Sequence, residues 1–118
     1  MVQHSQFSIN GSLWISKGNE LFIGPAQFRL IKQVINDGSI LAASQNLHIS
    51  YQQAWNIVDK MNRLSPLPLV TRYKGGNDGG GCRIDNFGMK VFHQFEENEE
   101  RLNKLIDEIN LNFNLCSF

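Results

Sequence analysis

A chain of 118 residues has room for one hydrophobic core and little else, so a single domain is expected. Its 42% hydrophobic and 19% charged content is ordinary globular composition, and no apolar run nears the ~18 residues of a membrane span, which argues against a disordered or membrane-spanning chain. Eleven basic and eleven acidic side chains cancel, so the total charge points to no polyanionic partner.

The distribution of charge is more informative. Residues 25–92 hold eight basic side chains (Arg29, Lys32, Lys60, Arg63, Arg72, Lys74, Arg83, Lys90) against four acidic ones (Asp37, Asp59, Asp78, Asp85), whereas residues 93–118 hold two against six. A basic middle and an acidic tail fit a phosphate-facing surface away from the tail. The opening MVQHSQFSIN lacks the basic start and apolar stretch of a secretory signal, and two cysteines, Cys82 and Cys116, make no disulfide framework. A soluble, cytoplasmic protein is expected.

Phe7 to Gly24 alternates apolar and polar residues and reads as a β-hairpin turning at Lys17, Gly18 and Asn19, where Gly and Asn tolerate positive φ. Pro25 suits a first helical position, and Phe28, Leu30, Ile31, Val34 and Ile35 keep helical spacing until Asp37-Gly38 stops the run. Ser39 is placed to cap a short second helix whose Ala42 and Ala43 allow close approach of another helix. Asn46 to Ile49 supply a turn. Ser50 and Gln53 then form a capping box, followed by Ala54, Ile57, Val58, Met61 and Leu64 as one buried stripe. The opposite face carries Tyr51, Gln52, Asn56 and Lys60, with Gln53 and Trp55 on the flanks, and the helix ends before Pro66. Trp55 belongs to the core or its edge.

Leu69 to Tyr73 and Cys82 to Ile84 read as two short strands joined by the tip KGGNDGGG. That tip lacks the terminal GK[ST] of a phosphate-cradling P-loop, so nucleotide hydrolysis is not expected. From Asn86 a long helix follows, and its apolar stripe (Met89, Phe92, Phe95, Leu102, Leu105, Ile106, Ile109) exceeds what one small core can cover, which predicts a homodimer. His4, His48 and His93 are too dispersed from the cysteines for a metal site, and no nucleophile–base signature is present. No cofactor, no metal and no enzymatic activity are expected.

The predicted organisation is mostly α with a small β component (α+β) in a single domain, a winged helix-turn-helix. It comprises a hairpin (1–24), three helices (25–65, the helix-turn-helix spanning 39–65), a wing (69–85) and a long C-terminal dimerisation helix (86–115). Such a unit places its third helix in the DNA major groove.

The run from Gly38 through Gly88 resembles the N-terminal DNA-binding domain of the ModE family of molybdate-responsive regulators, relatives of the LysR-type helix-turn-helix. Gly38-Ser39-Ile40 with Ala42-Ala43 matches its first motif helix, and Ser50-Tyr51 with Ala54-Trp55 its recognition helix. Asn62-Arg63-Leu64, Pro68-Leu69-Val70 and the glycines 75, 76 and 79–81 match the stretch leading through its wing, and Arg83 and Gly88 its Arg-Leu-Thr-x-x-Gly ending. Two positions depart from the family: Gln52, and Asn77-Asp78 in the tip, stand where lysines are common, which removes phosphate-neutralising charge. The chain is also shorter than full-length members, leaving no room for their molybdate-binding domains.

The resemblance implies a sequence-specific regulator of double-stranded DNA, linked to molybdenum transport or metabolism genes, whose signal comes from a separate effector-sensing protein, from the protein's own abundance, or not at all. The candidate DNA-binding residues are Ser39, Ser50, Tyr51, Gln52, Gln53, Asn56, Lys60, Arg72, Lys74 and Arg83. The alternative is a winged-helix protein–protein interaction module that has lost specific DNA binding.

Overall fold

The computed structural model describes residues 7–73 and 81–113, so Lys74 and the tip residues Asn77 and Asp78 lie outside the described residues. In chain order the elements are β1 (Ile15–Lys17), β2 (Glu20–Ile23), α1 (Pro25–Asp37), α2 (Ile40–Asn46), α3 (Tyr51–Leu64), β3 (Val70–Tyr73), β4 (Gly81–Ile84) and α4 (Asn86–Asn112). Each strand pair forms its own two-stranded antiparallel sheet. The architecture is a winged helix with a leading hairpin and a long last helix.

Lys17 pairs with Glu20 across a two-residue turn, and only Gly18 there has positive φ, +60°. Glycine at the first central position with a non-glycine after it is the pattern of a type II′ hairpin turn. The strands are shorter than the alternation from Phe7 suggests. Residues 7–14 have no regular structure; instead Asn110 of α4 holds Ile9, its Oδ1 accepting from Ile9 N at 2.7 Å and its Nδ2 donating to Ile9 O at 2.9 Å. The amide imitates a strand partner, which accounts for a β-like pattern where no ladder forms.

Caps define the helix ends. Gln27 Oε1 accepts from Gly24 N at 2.9 Å at the start of α1, and Gly38, at φ +79°, closes its end by donating to Val34 O. Ser39 Oγ accepts from Ala42 N at 3.1 Å. The α2–α3 turn is a Schellman motif: His48 N donates to Gln45 O and Ile49 N to Ser44 O, with His48 left-handed at φ 57°. Ser50 and Gln53 form the capping box in both directions, at 3.0 and 2.9 Å.

The core lies between the helices and the inner face of the second sheet. Phe28 of α1 stacks on Phe92 and Phe95 of α4, with ring centroids 4.9 and 4.8 Å apart. Ala43, Ala54 and Val58 are fully buried where α2 crosses α3, and Leu69, Val70 and Cys82 close the side toward the second hairpin. Ile35, counted in the apolar stripe of α1, is 37% exposed. Beyond Phe95 no described residue of α4 is buried.

The first turn of α4 sits hard against the chain that enters β3. A Cβ on Gly88 would lie 2.2 Å from the Leu69 carbonyl oxygen, a backbone atom that cannot swing aside. Gly88→Ala is therefore expected to destabilise the domain by about 3 kcal/mol, at the upper end of overpacking costs. Urea unfolding checks this, with Gly11→Ala, whose Cβ meets only the Ile106 side chain at 3.4 Å, as a near-neutral control.

Candidate nucleic-acid interface

The apolar stripe of α3 (Ala54, Val58, Met61, Leu64) is buried, with Trp55 beside it. That burial turns Gln52, Asn56, Asp59, Lys60 and Arg63 outward, and all five are exposed. Gln52 Nε2 donates to Asn56 Oδ1 at 2.9 Å, so the two amides, one helical turn apart, form a single unit. Their remaining outward atoms are one acceptor and one donor, which suits the edge of a base. Ser50 and Gln53 are exposed but engaged in capping, and Ser39 likewise caps α2. Their caps present the helix ends; the amide pair presents the chemistry.

Trp55 joins α3 to the second hairpin. The indole is 5% exposed, and the Arg72 guanidinium carbon lies 3.9 Å above the ring centroid. Tyr51 meets the same indole edge-on, centroids 6.3 Å apart and planes at 82°. Trp55 Nε1 makes no hydrogen bond among the described residues. The indole N–H first, and the Arg72 guanidinium second, stand close enough to the Tyr51 hydroxyl to hold its pKa below the usual phenol range.

The second hairpin has two faces of different character. Val70↔Ile84 and Arg72↔Cys82 pair on the inner face, and Thr71↔Arg83 and Tyr73↔Gly81 on the outer one. Arg72 and Arg83 thus point to opposite sides of the sheet. Arg83 Nε donates to Asp85 Oδ1 at 3.1 Å, and Thr71 Oγ1 donates to Asp85 Oδ2. The Thr71 hydrogen bond holds the Asp85 carboxyl below its ordinary value, burial partly opposes it, and Arg83 adds to the lowering. Cys82 sits buried behind the sheet, where desolvation pushes its thiol up. The structure joins Tyr51 and Arg72 through Trp55, joins Gln52 to Asn56, and leaves Arg83 on the opposite face of the hairpin.

Two side chains fix where α3 points. Asn62 Oδ1 accepts from Leu69 N at 2.9 Å and Val70 N at 3.2 Å, and its Nδ2 donates to Val70 O at 2.8 Å, stitching the last turns of α3 to β3. Lys17 Nζ donates to Leu64 O at 3.0 Å, capping α3 from the first hairpin. Arg63 pairs with Glu20 at 3.5 Å, both well exposed, a surface contact of little energetic weight. A groove of about 170 Å³ separates the first hairpin from α3, with Asn56 and Lys60 on its rim and Leu21 and Phe22 opposite.

Sequence reasoning named Asp59, Asn62 and Arg63 but placed none of them among the site residues. Helical spacing alone places Asp59 and Arg63 on the face of Gln52 and Asn56, so that signal was available. The role of Asn62 depends on where the chain returns after Pro66 and Pro68, and no local pattern carries it.

No protein-family model matches the chain. It is 36% identical over 84 residues to the transcriptional regulator ModE of Haemophilus influenzae, an alignment covering 71% of this chain and 33% of the relative. It is 34% identical over 77 residues to the DNA-binding transcriptional dual regulator ModE of Escherichia coli K12, covering 65% and 29%. Against the molybdenum-pterin-binding protein MopB of Rhodobacter capsulatus it is 32% identical over 93 residues, covering 79% and 34%. The chain spans about a third of the length of the curated relatives it matches.

Two outcomes are expected from the attachment of the second hairpin. Asn62→Leu leaves two part-buried N–H groups and a carbonyl without partners, at a cost of about 2–3 kcal/mol. Hydrogen exchange at the Leu69 and Val70 amides should accelerate with it, and unchanged protection there would refute the stitch. Asp85, with its pKa depressed in the folded state, adds stability that is fully present above the unfolded value of 3.8 and is lost as pH falls through the folded one. Thr71→Val brings the folded pKa back up, so the variant is less stable at neutral pH but loses less on acidification, as read from urea midpoints across the acid range.

Proposed function

This chain carries a ModE-like domain, and from that premise we propose that it is a sequence-specific DNA-binding transcriptional regulator of molybdenum transport or metabolism genes. The observation that carries the reading is the exposed amide pair Gln52–Asn56 on a helix that is capped at its start and anchored at its end. In the major groove, Gln52 Oε1 and Asn56 Nδ2 offer an acceptor and a donor, the complement of adenine N6 and N7; one good bidentate pair discriminates by ~1–3 kcal/mol. Lys60, one turn further along α3, meets phosphate, and Arg72 reaches the backbone from the wing. Ser39, Ser50 and Gln53 act through the caps they make, which set the entry angle of α3, while Lys74 and Arg83 add charge around the wing.

The protein acts as a homodimer. In the distal half of α4, Leu105 and Ile109, one turn apart, are 52% and 39% exposed, part of a stripe suited to a second copy of the same helix. Two-fold symmetry then sets two α3 helices in major grooves of a pseudo-palindromic site with half-sites ~34 Å or a multiple apart.

Capture of a genomic-fragment pool by the purified protein at two salt concentrations tests this. Enrichment of a palindromic site, weakened by salt and lost in Gln52→Ala/Asn56→Ala, is the expected result. Weak, sequence-blind retention that ignores both substitutions would sink the assignment of α3 and favour a protein-interaction module.

A further inference from the structure

Trp55 is 5% exposed, and its ring holds side chains from two different elements. The Arg72 guanidinium lies flat over the indole at 3.9 Å, so stacking occupies its face and leaves its N–H edges free. Tyr51 packs edge-on against the same ring at the first position of α3. Ser50 Oγ takes the Gln53 N–H, while the N–H groups of Tyr51 and Gln52 stay open at the positive end of the helix.

We propose that Tyr51 and Arg72 form a clamp for one backbone phosphate of DNA at the seam between α3 and the wing, with Trp55 as the positioning residue that aims both. The proposal rests on the DNA-binding reading above and adds the anchor that sets how deep α3 enters the groove. A phosphate takes two N–H bonds from the guanidinium edge and one O–H from the phenol, and the helix terminus favours its charge. Arg83 cannot substitute, because its Nε is already given to Asp85 on the opposite face of the wing. Asp59, the nearest acid on α3, stands two turns from Tyr51, so no carboxylate of that helix crowds the clamp.

The salt dependence of binding to a short random-sequence DNA duplex tests the clamp, because it counts neutralised phosphates irrespective of base contacts. Arg72→Gln should flatten the slope of log affinity against log salt by ~0.9, the share of one phosphate. Trp55→Leu, which removes the platform and keeps the arginine, should flatten it as much, and the double variant no further. Trp55→Phe keeps a stacking ring and should retain the slope, which a purely structural role for Trp55 would not predict. Should Trp55→Leu fail to fold, Arg72→Gln stands as an exposed substitution, and emission from Trp55 in a Trp14→Phe background should change when duplex is added. Duplex binding with a wild-type slope in Arg72→Gln overturns the clamp and leaves the DNA-binding reading intact. Failure of the unaltered protein to bind duplex at any salt overturns that reading and the clamp together.

Discussion

One carboxamide makes a helix and a hairpin into a common surface. Asn62 uses its oxygen and its nitrogen to satisfy three backbone groups of Leu69 and Val70, replacing the ladder partner that β3 lacks on that side. The same short segment is held from its other side: Leu69 O accepts from Asp85 N at 2.9 Å and touches the bare Cα of Gly88. Four elements, α3, β3, β4 and α4, therefore meet at two residues. The position of Arg72 over Trp55 is a consequence of that junction, since β3 starts where Asn62 puts it. A wing attached only by apolar contact would slide, because such contacts have no direction.

The exposed face of α3 is chemically mixed. Neutral amides occupy its first half, Lys60 and Arg63 its far end, and Asp59 lies between. In the proposed complex, a face of this kind draws its selectivity from paired amides and obtains attraction from cations on its margins. The acid works against indiscriminate adhesion to polyanions, since one uncompensated carboxylate near phosphate is repelled. The resulting balance leans toward discrimination and away from sheer affinity, in line with a chain whose formal net charge is zero.

What the sequence revealed and what it concealed divide by distance along the chain. The capping box at Ser50, the cap at Ser39, the stop at Gly38 and the turn at Gly18 involve residues within four positions of each other, and side-chain chemistry at that range is legible without a fold. The buried stripe of α3 is legible for the same reason, as a period of one element. The Trp55–Arg72 stack, the reach of Asn62 and the steric demand at Gly88 each join residues that meet only after the chain turns back. Gly88 could be matched to a family ending in the sequence, yet its physical reason is a carbonyl nineteen positions earlier. Residues 7–14 misled in the opposite sense, because alternation there reflects docking against α4 instead of pairing within the hairpin. Ile35 shows the limit of periodicity, which says which face of α1 is apolar but not how far the core extends along it.

The bond between Ile9 and Asn110 spans 101 positions, nearly the whole described chain. On a ribosome Ile9 is made before Asn110 by roughly 5–20 s at ordinary rates of synthesis. The helix-turn-helix and wing close over short separations and need nothing from the end of α4. The arm of residues 7–14 is thus made well before the helix that holds it, and the domain can complete its core while the arm still waits.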